Sequence, residues 1–200
     1  MIRNVLFDCA DTLLRFHAKA DLAAQLNSPE RAEVIHNAFF KSEIWGKYDN
    51  GVVSDDEVKN AVLPLLAEED RKIAEEYFHG FVRHFTPFDG IEQTLKELKE
   101  KGYSLYLVSD FPHVFPYLWD KFDLFRLFDG RAISFEAKGS KRDLRLFSYV
   151  LDTYGLNPEE SLFFDDVPSL IENAGRCGIK GHVFRGVEDL RAYLKELSVL

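Results

Sequence analysis

Two hundred residues suffice for one large domain, or for a core carrying a smaller insertion, and are enough to bury a sizeable apolar interior. Hydrophobic residues make up 46% of the chain, which excludes a disordered protein, and a formal charge of −9 argues against nucleic acid, whose phosphates such a surface repels. The chain lacks a run of about 18 apolar residues, so neither a transmembrane helix nor a membrane partner is expected. The apolar start MIRNVLFDCADTLLRF is broken by Asp8 and Asp11, unlike a signal peptide. Cys9 and Cys177 fit neither a disulfide framework nor metal-ligand spacing, and the expectation is a reduced, cytoplasmic protein. Cys9 reads as a small hydrophobe, with a reactive thiol as the alternative.

The first strand is predicted at Arg3–Phe7, where VLF runs without polar alternation, the mark of a parallel strand covered on both faces. Residues 15–85 carry no strand signal. Their pattern predicts four helices, over about 18–26, 29–43, 55–66 and 69–85, the third opened by a Ser54–Glu57 capping box. A connection of this length far exceeds one crossover helix. It implies an α-helical cap of residues 15–85 inserted into a core of residues 1–14 and 86–200.

From there strand and helix alternate. Asp89 and Glu92 have capping-box spacing, Ile91, Leu95 and Leu98 share one face, and Gly102 suits a helix end. Strands are predicted at Tyr103–Val108, Arg131–Phe135, Ser161–Phe164 and Gly181–Phe184. Helices are predicted over Asp143–Tyr154, from a Ser169–Glu172 capping box to about Gly178, and from about Val187 onward. This order specifies an α/β fold, a Rossmann-like, doubly wound parallel sheet of five strands. The aromatic run FPHVFPYLWDKFDLFRLFD reads as a packed helix pair, with an exposed dimerisation patch as the alternative. Either a monomer or a homodimer is compatible with it.

Ligands of open parallel sheets bind beyond the carboxyl ends of the strands. Asp8 follows the first strand, Ser109 and Asp110 the second, a basic stretch from Lys138 to Arg142 the third, and Asp165 and Asp166 the fourth. Carboxylates gathered there repel and raise one another's pKa. A hard divalent cation such as Mg²⁺ resolves the conflict. A lysine and a serine hydroxyl beside it suit a phosphoryl group, so a small phosphorylated molecule is the expected substrate.

From end to end the chain resembles the haloacid dehalogenase superfamily. Four motifs carry the likeness: VLFDCADTL, LYLVSD ending in Ser109, GSKRDLRLF with Lys141, and LFFDDVPSLIENAG. The stretch leading into the second motif and the type-1 helical cap match too, and GVVSDDEV resembles the sugar-phosphatase-like branch. The resemblance implies a magnesium-dependent phosphatase, with a sugar phosphate as one expected substrate. Asp8 would be the nucleophile, and Mg²⁺ would be held by Asp8, the Ala10 carbonyl and Asp166, with Asp165 nearby. Ser109 and Lys141 would bind phosphate, and Thr12 would support the turn and the phosphate.

The chain departs from the family's pattern at Ala10, where phosphatases carry a second aspartate that protonates the leaving group and then activates water. Asp11, His17 and His113 are the candidate replacements. Arg142 stands for a usual proline, Leu170 for a usual Asp or Asn, and Asp110 for a common Asn. Neither a phosphonatase, which needs a matching cap lysine (Lys41, Lys47 and Lys59 lie in no such motif), nor a dehalogenase fits. The alternative is a catalytically disabled protein that binds a phosphorylated ligand or a protein partner. A receiver domain is disfavoured, because there the acidic pair follows the first strand and the lysine comes last.

Overall fold

The computed structural model describes all of residues 1–200. Five parallel strands form a sheet in the order β5–β4–β1–β6–β7: β1 (Asn4–Phe7), β4 (Ser104–Ser109), β5 (Gly130–Ile133), β6 (Ser161–Asp165) and β7 (Lys180–Val183). The alternating pleat sends Val5, Phe7, Leu105, Leu107, Leu162 and Phe164 into one core and Leu6, Tyr106, Val108 and Phe163 into the other. This is why the strands are apolar without alternation. Helices α6 (Ile91–Glu100) and α11 (Val187–Glu196) cover the first face, and α9 (Arg145–Tyr154) and α10 (Pro168–Arg176) the second. The fold is the Rossmann-like α/β class expected.

The third predicted strand stops at Ile133, because Ser134 opens a short helix α8 (Ser134–Ala137). Two of the three predicted capping boxes do not form. The first residue before α6 is Gly90 at φ 79°, and Pro168 starts α10 one residue before Ser169, so neither Asp89 nor Ser169 is placed to cap. The Ser54–Glu57 box does form at α4 (Asp55–Val62).

Residues 15–85 contain two strands that their sequence did not signal. β2 (Leu14–Phe16) and β3 (Phe85–Pro87) pair antiparallel, so the expected boundaries fall inside a two-stranded ribbon. Each has three residues, too few to establish a period. Between them lie α1 (Ala18–Leu26), α2 (Pro29–Phe40), α3 (Glu43–Asp49), α4 and α5 (Glu68–Gly80). The expected 29–43 helix breaks after Phe40, and α3 is an additional element. These helices bury their own core, including Leu22, Ile35, Phe39, Tyr48, Val58 and Phe78.

The aromatic run is packed. In α7 (Phe115–Lys121) and the 3₁₀ turn Asp123–Leu127, Phe115, Leu118, Leu124 and Phe125 are buried, and Trp119 stacks on Phe125 at 5.2 Å. No helix is long and apolar enough to cross a membrane.

Candidate active site

Asp8 leaves the end of β1 with its backbone N–H still donating to the Phe164 carbonyl (2.9 Å), so the sheet fixes its position. The chain then turns sharply. Leu13 and Leu14 both donate to the Cys9 carbonyl, and Asp11 takes a left-handed φ of 53°. Asp11 Oδ1 accepts from the Phe16 N–H at 3.0 Å, which engages one oxygen of this carboxylate at the start of the ribbon. Thr12 is buried in the turn, and its hydroxyl has no hydrogen-bond partner. Cys9 is also buried, and burial pushes its thiol up, which makes it an inert packing residue.

Lys141 reaches under this turn from the loop before α9. Its ammonium lies 2.7 Å from Asp8 Oδ1 and 2.6 Å from Asp165 Oδ2, all three side chains being buried. Burial opposes the lysine's charge, but Asp8, Asp165 and Asp110 more than offset it and hold the ammonium above its ordinary range. The loop is pinned from three sides. The Lys141 N–H donates to Asp110 Oδ1 (3.0 Å), the Asn173 side chain donates to the Lys141 carbonyl (3.2 Å), and Ser140 and Asp143 bond each other reciprocally. Asn173 belongs to α10 and lies late in the fourth motif stretch, LFFDDVPSLIENAG, but only the fold reveals its contact with this loop.

Asp8 and Asp166 are carboxyls under stress. Burial first, then Asp165, raises Asp8 to about 7, while Lys141 and the neighbouring Ser109 pull it down. Burial, Asp165 and Asp11 raise Asp166 to about 6. Oxygens of Asp8, Asp165 and Asp166 all lie within 4.8 Å of one another. Asp165 is already occupied, with Oδ2 on Lys141 and Oδ1 accepting from the Val167 N–H at 2.8 Å. Asp8 meets Lys141 through Oδ1, so its second oxygen and those of Asp166 are the remaining hard-oxygen donors, the kind a magnesium ion takes.

Because Asp166 keeps a proton in the folded protein over a window where the unfolded chain has lost it, it lowers stability as pH rises from 3.8 toward about 6. Asp166→Asn should flatten that decline in Tm for metal-free protein and remove any dependence of Tm on Mg²⁺. Thermal melts at pH 4–8, with EDTA and with Mg²⁺, check both.

The two candidate histidines lie elsewhere. His17 pairs with Asp21 at 2.6 Å, and His113 faces Asp55 at 3.6 Å across a separate surface hollow. A different residue comes to the site. Asp49, the last residue of α3, lines a cavity of about 100 Å³ together with Ala10 and Asp110. Phe16, Phe40, Trp45, Phe81, Phe85 and Phe111 form most of the remaining wall. Burial, then Asp110, lifts the Asp49 carboxyl well above the usual range. Its other side borders an outer hollow of about 420 Å³ carrying Lys41, Ser42 and Arg142. The one local sign of Asp49 is a misfit: a carboxylate at a helix C-terminus, where the dipole disfavours it.

Residues 2–174 match the family described as haloacid dehalogenase-like hydrolase, and the chain belongs to that family. It is 28% identical over 204 residues to drimenol cyclase drtB of Aspergillus calidoustus, an alignment covering 98% of this chain but only 37% of that protein's length. A solved structure of a dehalogenase is similar at TM-score 0.74 and 20% identity, over 92% of this chain and 85% of that one. A Bacteroides thetaiotaomicron enzyme of the family, crystallised as an aspartate-to-alanine mutant with magnesium and inorganic phosphate, is similar at TM-score 0.69 and 18% identity, over 93% of this chain and 95% of that one.

Proposed function

We propose that the protein is a Mg²⁺-dependent phosphatase of small phosphate esters, working through a phosphoryl group carried on Asp8. The observation that carries this reading is the buried ladder Asp8–Lys141–Asp165 with the free donors of Asp8 and Asp166 beside it. Asp8, Asp166 and the Ala10 carbonyl would hold the ion, which supplies positive charge that offsets repulsion between the phosphate and the carboxylates. Asp165 orients Lys141. Lys141, Ser109 and the unpartnered Thr12 hydroxyl bind phosphoryl oxygens. Asp8 attacks phosphorus, the ester oxygen leaves, and water later releases phosphate from Asp8. A dehalogenase would have no use for a cation-ready carboxylate pair beside its nucleophile. Helices α1–α5 act as the cap over the site, with Arg142 and Lys41 drawing the anionic substrate into the outer hollow.

Asp49 supplies the proton that the leaving group needs, in place of the aspartate missing at position 10. Burial and Asp110 raise its pKa, the direction a proton donor needs, and it shares a cavity with Ala10. Asp49→Asn should lower kcat/KM by about 10²–10⁴-fold for alkyl phosphates and much less for aryl phosphates, whose leaving groups need no proton. Ala10→Asp should raise wild-type turnover and restore alkyl phosphate hydrolysis to Asp49→Asn. Equal losses on both ester types would remove Asp49 from this role.

The aromatic wall beside Ala10 favours an apolar leaving group over the sugar suggested by the resemblance, because it offers hydroxyls almost no partners. A panel of alkyl, aryl and sugar phosphates tests this choice. The apolar esters should be hydrolysed with the higher kcat/KM, and a preference for sugar phosphates would overturn it.

A further inference from the structure

Away from the carboxylate site, His17, Asp21 and His84 converge at the ribbon that carries both chain crossings between sheet and helices. We infer that these three side chains form a second metal site, built for a divalent transition ion of the Zn²⁺, Co²⁺ or Ni²⁺ kind. Asp21 Oδ2 stands 2.6 Å from the Nδ1 atoms of both His17 and His84. One ligand atom from each residue lies within 4.8 Å of the others.

The backbone sets this convergence before any ion arrives. His17 follows β2 and caps α1, and its N–H donates to the His84 carbonyl at 3.0 Å, which locks the two crossings side by side. Asp21 stands one turn into α1, with its N–H on the His17 carbonyl at 3.1 Å, so residues four apart share a face. His84 immediately precedes β3. Both histidines and the aspartate are partly open to solvent, which leaves room for water to complete the coordination.

Ligand chemistry separates this site from the first. Two imidazoles and one carboxylate suit borderline transition ions, whereas Mg²⁺ takes oxygen donors. Zinc bonds to nitrogen and oxygen of about 2.0–2.2 Å place tetrahedral ligands about 3.3 Å apart. The present contacts need open by less than about 1 Å, which side-chain rotation supplies. With neutral imidazoles the cluster carries one negative charge, which a divalent ion reverses. An ion bound here would tie the start of α1 to the end of the second crossing, and would stiffen the ribbon on which the helices are mounted.

The test is Co²⁺ binding to the full chain in a large excess of Mg²⁺, which fills the carboxylate site. It is read by equilibrium dialysis and by the visible absorption of the bound ion. Wild type and Asp8→Asn should each bind one Co²⁺ and show a rise in Tm. His84→Ala should lose at least about 100-fold in affinity, since even groups that merely orient a ligand are worth roughly 10–100-fold. Asp21→Asn, which keeps the shape and removes the charge, should lose affinity likewise and decides the matter if His84→Ala does not fold. Equal Co²⁺ affinity in wild type and Asp21→Asn, loss of binding in Asp8→Asn alone, or no binding to wild type would overturn the site. None of these outcomes depends on phosphatase activity.

Discussion

Replacing Asp8 by asparagine is expected to lower turnover by at least about 10⁴-fold, because the amide cannot attack phosphorus and no second nucleophile stands in its place. Cys9, the neighbouring candidate, is buried with its thiol held protonated. Folding should not suffer. The folded-state pKa of Asp8 is lifted from 3.8 to about 7, so the native protein holds a proton that the unfolded chain has released. Stability from this group is full below about pH 4 and is lost as pH climbs toward 7. The asparagine side chain does not titrate, so the Tm of Asp8→Asn should decline less over that window and should equal or exceed wild type at pH 8. Rates on an aryl phosphate, together with melts from pH 4 to 8, check the two halves. A variant that is inactive because it is unfolded fails the second half.

Lys141→Met should have the larger effect on stability. The substitution keeps much of the volume but leaves Asp8 and Asp165, both buried, facing each other without the ammonium that now stands 2.7 and 2.6 Å away. Removing one member of a buried ionic cluster costs about 3–5 kcal/mol. The loss should shrink toward pH 4, where Asp8 carries a proton in the folded protein, and should be partly reversed by Mg²⁺, which replaces some of the missing charge. Urea unfolding at pH 7.5 and pH 4, with and without Mg²⁺, measures all three. A loss that ignores pH would point to packing, not charge. Activity should fall with stability, since Lys141 also meets the phosphate.

The parts of the molecule legible in its sequence are those under the strongest physical constraint. VLF, LYLV and LFF announce parallel strands because both faces of the sheet must be covered. Asp8, Ser109, Lys141, Asp165 and Asp166 are legible because strand ends of such a sheet face one edge, and the structure brings all five together there. Local signals without that global constraint misled. The Asp89–Glu92 and Ser169–Glu172 spacings match a capping box, yet Gly90 and Pro168 decide where those helices start. The ribbon of β2 and β3 is too short to show a period, and α3 begins where the expected 29–43 helix ends, in a stretch for which no helix is predicted. Asp49 lies outside every motif, and Asn173 lies in the fourth with no role that its spacing signals. Each reaches the site only through the packing of helices onto the sheet, which single-sequence spacing does not encode.

Phosphate chemistry at this site should depend on a cation held by the carboxylates. The most direct measurement is hydrolysis of an aryl phosphate by the wild-type chain, with Mg²⁺ and with EDTA, alongside Ala10→Asp. Turnover that requires Mg²⁺, vanishes in EDTA and rises in Ala10→Asp is the predicted result. Equal rates with and without the ion, or silence in both proteins at saturating Mg²⁺, would contradict it. Silence in both would instead make the site a binding pocket for a phosphorylated ligand.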